Sequence, residues 1–372
     1  MMVVQALLAG VFQVVQMALL LLLAPGLTGL VRVIKARLLG RRGPPLVQPY
    51  LDLLRLLKKE VVLAENASWL FRTTPYLVFT AIWLAAALVP TFSTALALTA
   101  TADLIALVAL LASARFFLAL AGMDVGTSFG GLGSSREMMI AALAEPAMLM
   151  VIFSVAILVR TTSLSLIVDF MLSGGVGLRV SLALALISLL MVAIAENGRV
   201  PIDNPSTHLE LTMVHEAMVL EYSGRHLALI EAAGMMKLVL YMALIACIFL
   251  PWGIAAPHDG PVELLVGLLT FVLKLTAGAV LLAVFETGIA KMRVFRYGEF
   301  LGGALLLVPT ALFGVDFDSA PTIVRNSSWP QPPSPPRRGQ PKPVRRCQPT
   351  PHRWPRCPQM GCRHSWPISP GY

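Results

Sequence analysis

The sequence predicts an all-α, polytopic integral membrane protein, and three observations carry that prediction. Fifty-seven per cent of the 372 residues are hydrophobic and 13% are charged, a balance that leaves too little polar surface for a water-soluble domain. Eight apolar runs meet or approach the ~20 residues that a helix needs to cross a ~30 Å hydrocarbon core. Basic residues crowd into alternate loops, as the positive-inside bias of a multi-pass chain requires.

The runs lie near 3–24, 76–99, 103–122, 138–159, 180–196, 235–256, 263–285 and 300–315. The first has no basic n-region and no small-residue cleavage site, and it exceeds a signal h-region, so it reads as a retained span. Loop 32–75 holds Arg32, Lys35, Arg37, Arg41, Arg42, Arg55, Lys58, Lys59 and Arg72. Later loops on that side add Arg136, Arg199, Arg225, Lys291, Arg293 and Arg296, whereas the opposite loops offer only Arg160 and Arg179. Both ends of an eight-span chain then face outside, and loops 32–75, 123–136 and 197–234 face the cytoplasm. Residues 1–316 form the transmembrane domain in this reading.

Each polar segment has its own pattern. Pro44, Pro45 and Pro49 break the first half of loop 32–75 before a helical pattern resumes. There Leu51, Leu54, Leu57 and Val61 share one face, with Asp52, Arg55, Lys58 and Lys59 mostly opposite, the pattern of a helix lying in the membrane interface. Loop 123–136, rich in Gly and Ser, reads equally as a connector and as a segment that orders against another surface. Residues 325–372 contain thirteen prolines, nine Lys+Arg and no acid, so they are expected to be disordered. A shifted reading frame in a GC-rich gene accounts for so abrupt a change.

The carboxylates concentrate. Six of the twenty acids, Glu196, Asp203, Glu210, Glu216, Glu221 and Glu231, fall in one stretch between two apolar runs. Glu145 stands inside the fourth span, where a charge costs about 2.5–3.5 kcal/mol unless it is paired, hydrated or neutral. Glu196, Arg199 and Asp203 form an acid, base, acid ladder if the helix persists across the turn. One arginine cannot neutralise two carboxylates, so the excess acid is a natural proton carrier; a capping salt bridge is the alternative. His208 and His215, seven residues apart, titrate near neutrality and add relay groups. Lys274, midway along the seventh span, is counted with these proton-path candidates and is expected to pair with a buried acid, a purely structural role being the alternative.

Metal and nucleotide chemistry find little support. Cys247 is the sole cysteine in the apolar part, and the histidines fit no HExxH pattern. The tail's Cys347, Cys357, Cys362, His352 and His364 match no zinc spacing. No phosphate loop, Ser/His/Asp set or nucleotide fingerprint occurs in residues 1–324. Redox chemistry must therefore come from other chains.

Several ordered motifs point further: RLLGRRGPPLVQPYLDLLRLLKKE, GLGSSREMMIAALAEP, AENGRVPIDNPSTHLEL, LEYSG and KMRVFRYGEFL. Over roughly residues 1–313 the chain resembles the eight-helix membrane-anchor subunit shared by respiratory complex I and the membrane-bound nickel-iron hydrogenases. Ser206, His208 and the form NPSTHLELTMVHEAMVLEYSG are similar to the hydrogenase-4 and formate hydrogenlyase branch, rather than to quinone-reducing members, which carry acids at those two positions.

The resemblance implies an anchor and proton conduit in the inner membrane. A nickel-iron large subunit and an iron-sulfur small subunit would dock on the basic loops, with Arg41, Arg42, Pro44, Gln48, Pro49 and Asp52 as docking residues, beside antiporter-like membrane subunits. It assigns no cofactor or metal to this chain. Glu145, Glu196, Asp203, Glu210 and Glu221 match the family's acidic path, with Arg199 beside them. Glu216, His208 and His215 join that path by inference from their chemistry. A quinone-reducing anchor, a stand-alone ion transporter and a passive anchor whose carboxylates only clamp helices remain the competing readings.

Overall fold

The computed structural model describes residues 2–64, 66–94, 97–98, 101–172, 180–199, 215–255, 260–288 and 297–313. The described helices are α1 (Met2–Leu38), α2 (Gln48–Lys58), α3 (Trp69–Leu88), α4 (Leu104–Asp124), α5 (Ser128–Val159), α6 (Leu164–Leu172), α7 (Val180–Glu196), α8 (His215–Val219), α9 (Gly224–Phe249), α10 (Pro261–Gly288) and α11 (Tyr297–Phe313). Six of them, α1, α3, α4, α5, α9 and α10, are long and apolar enough to cross a membrane. The shorter apolar α7 and α11 occupy the fifth and eighth apolar runs. The protein is a multi-pass helical membrane protein, and these helices fall within one compact unit, Met1–Phe317. Residues 325–372 lie outside the described residues.

Helix α9 is the most deeply buried of the six long helices and α10 the least. Around α9 pack α1, α2 and α3, while α4 pairs with α3 and α5, and α11 with α5 and α7. The core is therefore almost wholly Leu, Ile, Val, Ala and Met, with Phe71, Leu104, Ile167, Leu189 and Met236 fully enclosed.

Helix ends consume the buried polar groups. The last carbonyls of a helix have no intrahelical partner. At the end of α3 they are met by glutamines of α1, Gln13 Nε2 donating to Ala87 O at 2.8 Å and Gln16 Nε2 to Val89 O at 2.6 Å. Asp103 caps α4, its Oδ1 accepting from Ile105 N at 2.9 Å, while its Oδ2 accepts from Thr162 Oγ1 at 3.1 Å. Replacing Gln13, which also accepts from Leu98 N at 3.4 Å, with leucine strands two backbone groups. That change is expected to cost about 1–3 kcal/mol, read as a lower thermal midpoint in detergent.

Several loop boundaries differ from the sequence expectation. Loop 32–75 shrinks because α1 runs on to Leu38 and α3 starts at Trp69. Loop 123–136 reduces to three residues, since its Gly/Ser stretch forms the first turns of α5. Thr127 caps that helix, its hydroxyl accepting from Gly130 N at 3.2 Å. The small residues serve close packing: a Cβ on Gly130 would collide with Gly122 O, and one on Gly122 would lie 2.6 Å from Ser134 Oγ. Ser134 itself is buried and donates to Ala119 O at 2.8 Å.

On the face bearing the basic loops, α2 lies against α1 and α9. Its Leu51, Leu54 and Leu57 are exposed while Pro49 is buried, the placement an interfacial helix needs. The segment after α2 is fastened to the start of α9: Ser223 Oγ both accepts from Val62 N and donates to Val62 O, each at 2.8 Å. Gly224, at φ +55°, leaves no room for a side chain beside Glu60 O.

Candidate functional site

Helix α7 delivers Glu196 and then stops. Gly198 takes a left-handed φ of +60°, Gly198 N bonds Ala195 O at 3.0 Å and Arg199 N bonds Ile194 O at 2.9 Å, the double bond pattern of a Schellman end. The expected Glu196–Arg199 ladder is therefore not built. The helix does not persist across the turn, and Arg199 instead places Nη1 3.3 Å from Glu286 Oε1. Glu286 Oε2 also pairs with Lys35 Nζ at 2.9 Å.

Glu196, 4% exposed, meets two other cations. Its Oε2 contacts Arg115 Nη2 from α4 and accepts from Lys237 Nζ of α9 at 2.8 Å. Lys237 Nζ also donates to Glu196 O at 2.9 Å, so one ammonium satisfies both the side chain and an end carbonyl of α7. Arg115, 5% exposed, further draws in α5: its Nε is 3.4 Å from Glu137 Oε1 and its Nη1 3.9 Å from Glu145 Oε1. Those two nitrogens have ion-pair distances without hydrogen-bond geometry. Among the described residues three carboxylates thus face two cations, and this group, fully ionised, carries one excess negative charge. One added proton would balance it.

A cavity of about 610 Å³ adjoins this cluster. Arg115, Glu137, Glu196 and Lys237 line one part of it; Arg32, Arg199, His215, Glu216 and Glu231 line the rest. Arg32, Asp52 and Glu216 lie near enough to Glu231 to act on it electrostatically. Tyr222 also lines the cavity, stacked on Phe71 at 4.0 Å and donating to Phe71 O at 3.2 Å. Burial, reinforced by the Asp124 carboxylate, pushes its phenol above the usual value, so Tyr222 is a neutral donor at physiological pH.

The expected site residues divide. Glu145 and Glu196 join one cluster, while His215 and Glu216 stand exposed where α8 borders the cavity. Glu221 is half-buried between α8 and α9. Asp203, His208 and Glu210 lie outside the described residues. Among the described residues Lys274 pairs with no acid: its ammonium donates to the carbonyls of Leu250 and Trp252. Those carbonyls lie at and just beyond the α9 terminus, where intrahelical partners run out, and a flexible stem lets a mid-span lysine reach them. Of the docking residues, Arg41, Arg42 and Pro44 are exposed, but Pro49 is buried and Gln48 Nε2 donates to Asp52 Oδ1 at 2.8 Å. Among the described residues, no group of three or more His, Cys, Asp or Glu is arranged to hold a metal ion.

The sequence reading missed Arg115, Glu137, Lys237, Lys35 and Glu286. A signal existed for two of them, because Arg115 and Lys237 each stand alone as a charge within an apolar run, and an intramembrane charge implies a partner.

A multi-pass helical bundle enclosing a charged cluster beside a cavity defines the class, a polytopic membrane protein with ionisable groups in its interior. The chain belongs to the NADH dehydrogenase family, whose model matches residues 11–315. It is 32% identical over 283 residues to formate hydrogenlyase subunit 4 of Escherichia coli (strain K12), covering 76% of this chain and 91% of that one. Hydrogenase-4 component C of the same organism is 33% identical, covering 76% and 88%. An NADH-quinone oxidoreductase subunit of Burkholderia vietnamiensis is 28% identical, covering 74% and 79%. The fold matches a chain of the membrane-bound sulfane sulfur reductase, an archaeal respiratory membrane complex, with a TM-score of 0.66 at 21% identity, covering 84% of this chain and 98% of that chain. The protein is thus homologous to membrane subunits of oxidoreductase complexes.

Proposed function

We propose that the chain anchors the soluble redox arm of a hydrogen-evolving complex in the inner membrane and conducts protons between that arm and the bilayer interior. The observation that carries this reading is the single-carboxylate excess around Arg115 and Glu196 beside a cavity lined by ionisable groups. Such an arrangement accepts one proton without leaving a buried group uncompensated. Identities of 32% and 33% to the formate hydrogenlyase and hydrogenase-4 subunits, against 28% to a quinone-reductase subunit, favour the hydrogen-evolving branch.

In this reading a nickel-iron large subunit and an iron-sulfur small subunit dock on the face of Arg41, Arg42, Pro44 and α2, and antiporter-like subunits flank the bundle. The metal centres belong to those partners. Protons enter by His215, Glu216 and Glu231, with Asp203, His208, Glu210 and Glu221 in the same acidic stretch, and reach Glu196, Glu137 and Glu145. Redox events next door alter carboxylate protonation and so move protons.

The test is Glu196→Gln and Glu145→Gln in the intact complex. Proton-linked turnover is expected to fall about 100-fold, the scale of losing one positioned acid-base group, with subunit composition retained. Unchanged coupling in both variants removes the mechanism. Loss of assembly in place of coupling identifies the carboxylates as helix clamps.

A further inference from the structure

Glu286 sits near the end of α10 with its side chain 5% exposed, held between Lys35 at the end of α1 and Arg199 just beyond α7. One carboxylate here meets two cations, the converse of the cluster around Glu196. Arg199 follows Glu196 by three residues and lines the same cavity as that carboxylate, yet the two make no ion pair. Two features keep it away. The left-handed Gly198 turns the chain off the helical path, and Glu286 supplies a closer partner at 3.3 Å.

We propose that Glu286 is a positioning residue that withholds Arg199 from Glu196 and so preserves the unpaired carboxylate equivalent that a proton occupies. This rests on the conduit reading of Glu196. A third cation in that cluster would balance its three carboxylates, and an added positive charge within a few ångströms favours the ionised form of an acid.

Several elements bring further charged and titratable groups to this region. Helix α4 brings Arg115, α5 brings Glu137 and Glu145, and α9 brings Lys237 and, one turn on, Tyr241. Helix α11, packed on α7, carries Glu299 at an exposed position. Arg32, Arg136, His215, Glu216 and Glu231 also line the cavity. Among these cations, Arg199 alone is tethered three residues from Glu196.

The experiment is an infrared pH titration of the carboxylic-acid C=O band in the purified intact complex, the band being assigned by its loss in E196Q. In E286Q its midpoint is expected to move to lower pH by about one to three units, the effect of one nearby cation. The double variant E286Q/R199Q is expected to return it. An unmoved midpoint in folded E286Q, or a shift that survives the loss of Arg199, overturns the proposal. Should E286Q assemble poorly, E286D keeps the charge but shortens its reach. A smaller shift of the same sign then supports the role, and no shift overturns it. Proton-linked turnover, followed in parallel, separates the two ideas: a moved midpoint with unchanged turnover keeps the role of Glu286 and removes the conduit.

Discussion

Arg115→Met is expected to be the most damaging single substitution in the bundle, lowering stability by about 3–5 kcal/mol, the scale of stripping the partner from a buried charge. Among the described residues this guanidinium alone touches Glu137, Glu145 and Glu196 together. Without it, Lys237 still holds Glu196, but among the described residues no ion pair remains for Glu137 or Glu145. Methionine fills most of the volume, so the loss reports charge rather than a cavity. The measurement is the thermal midpoint of the purified protein in detergent for R115M, E196Q and the double variant. Because the two groups are in contact, their effects are expected to be non-additive, with R115M/E196Q more stable than R115M. A wild-type midpoint for R115M, or a double variant no better than the single, contradicts the assigned pairing.

The same hub explains what was legible in the sequence. All eight apolar runs are occupied by helices, since a run of apolar side chains with few charges leaves the chain little choice in a bilayer. Glu196 was placed at the end of its span, and Glu145 was recognised as a costly intramembrane acid. The partners were not legible, because pairing across helices depends on how α4, α5, α7 and α9 rotate against one another, and periodicity within one helix carries no information about that. Arg115 and Lys237 announce themselves only as charges out of place. The Arg199 ladder failed for a local reason that is visible in retrospect: Asn-Gly at 197–198 is a helix-ending pair, and it turns Arg199 towards Glu286. The Gly/Ser stretch of 126–135 misleads in the other direction, since glycine's poor helix propensity suggests a connector when tertiary packing is what calls for it.

That packing makes a second large effect testable with identical chemistry at adjacent positions. Gly130→Ala is expected to destabilise the protein by about 1–3 kcal/mol, the usual cost of overpacking, because the new methyl meets the main-chain oxygen of Gly122, which no rotamer change can move. Gly131→Ala adds the same methyl one residue on, where nothing lies within 4 Å, and is expected to be neutral or to stabilise by about 0.5–1 kcal/mol through helix propensity. The consequence reaches the site. Arg115 lies seven residues before Gly122 on α4 and Glu137 seven after Gly130 on α5, so parting the two helices at their glycine contact pulls the hub from its acids two turns away. Gly130→Ala should therefore lower proton-linked turnover beyond what its reduced yield explains, whereas Gly131→Ala should leave it intact. Equal midpoints and equal turnover for the two variants would show that the α4–α5 contact does not set the geometry of Arg115.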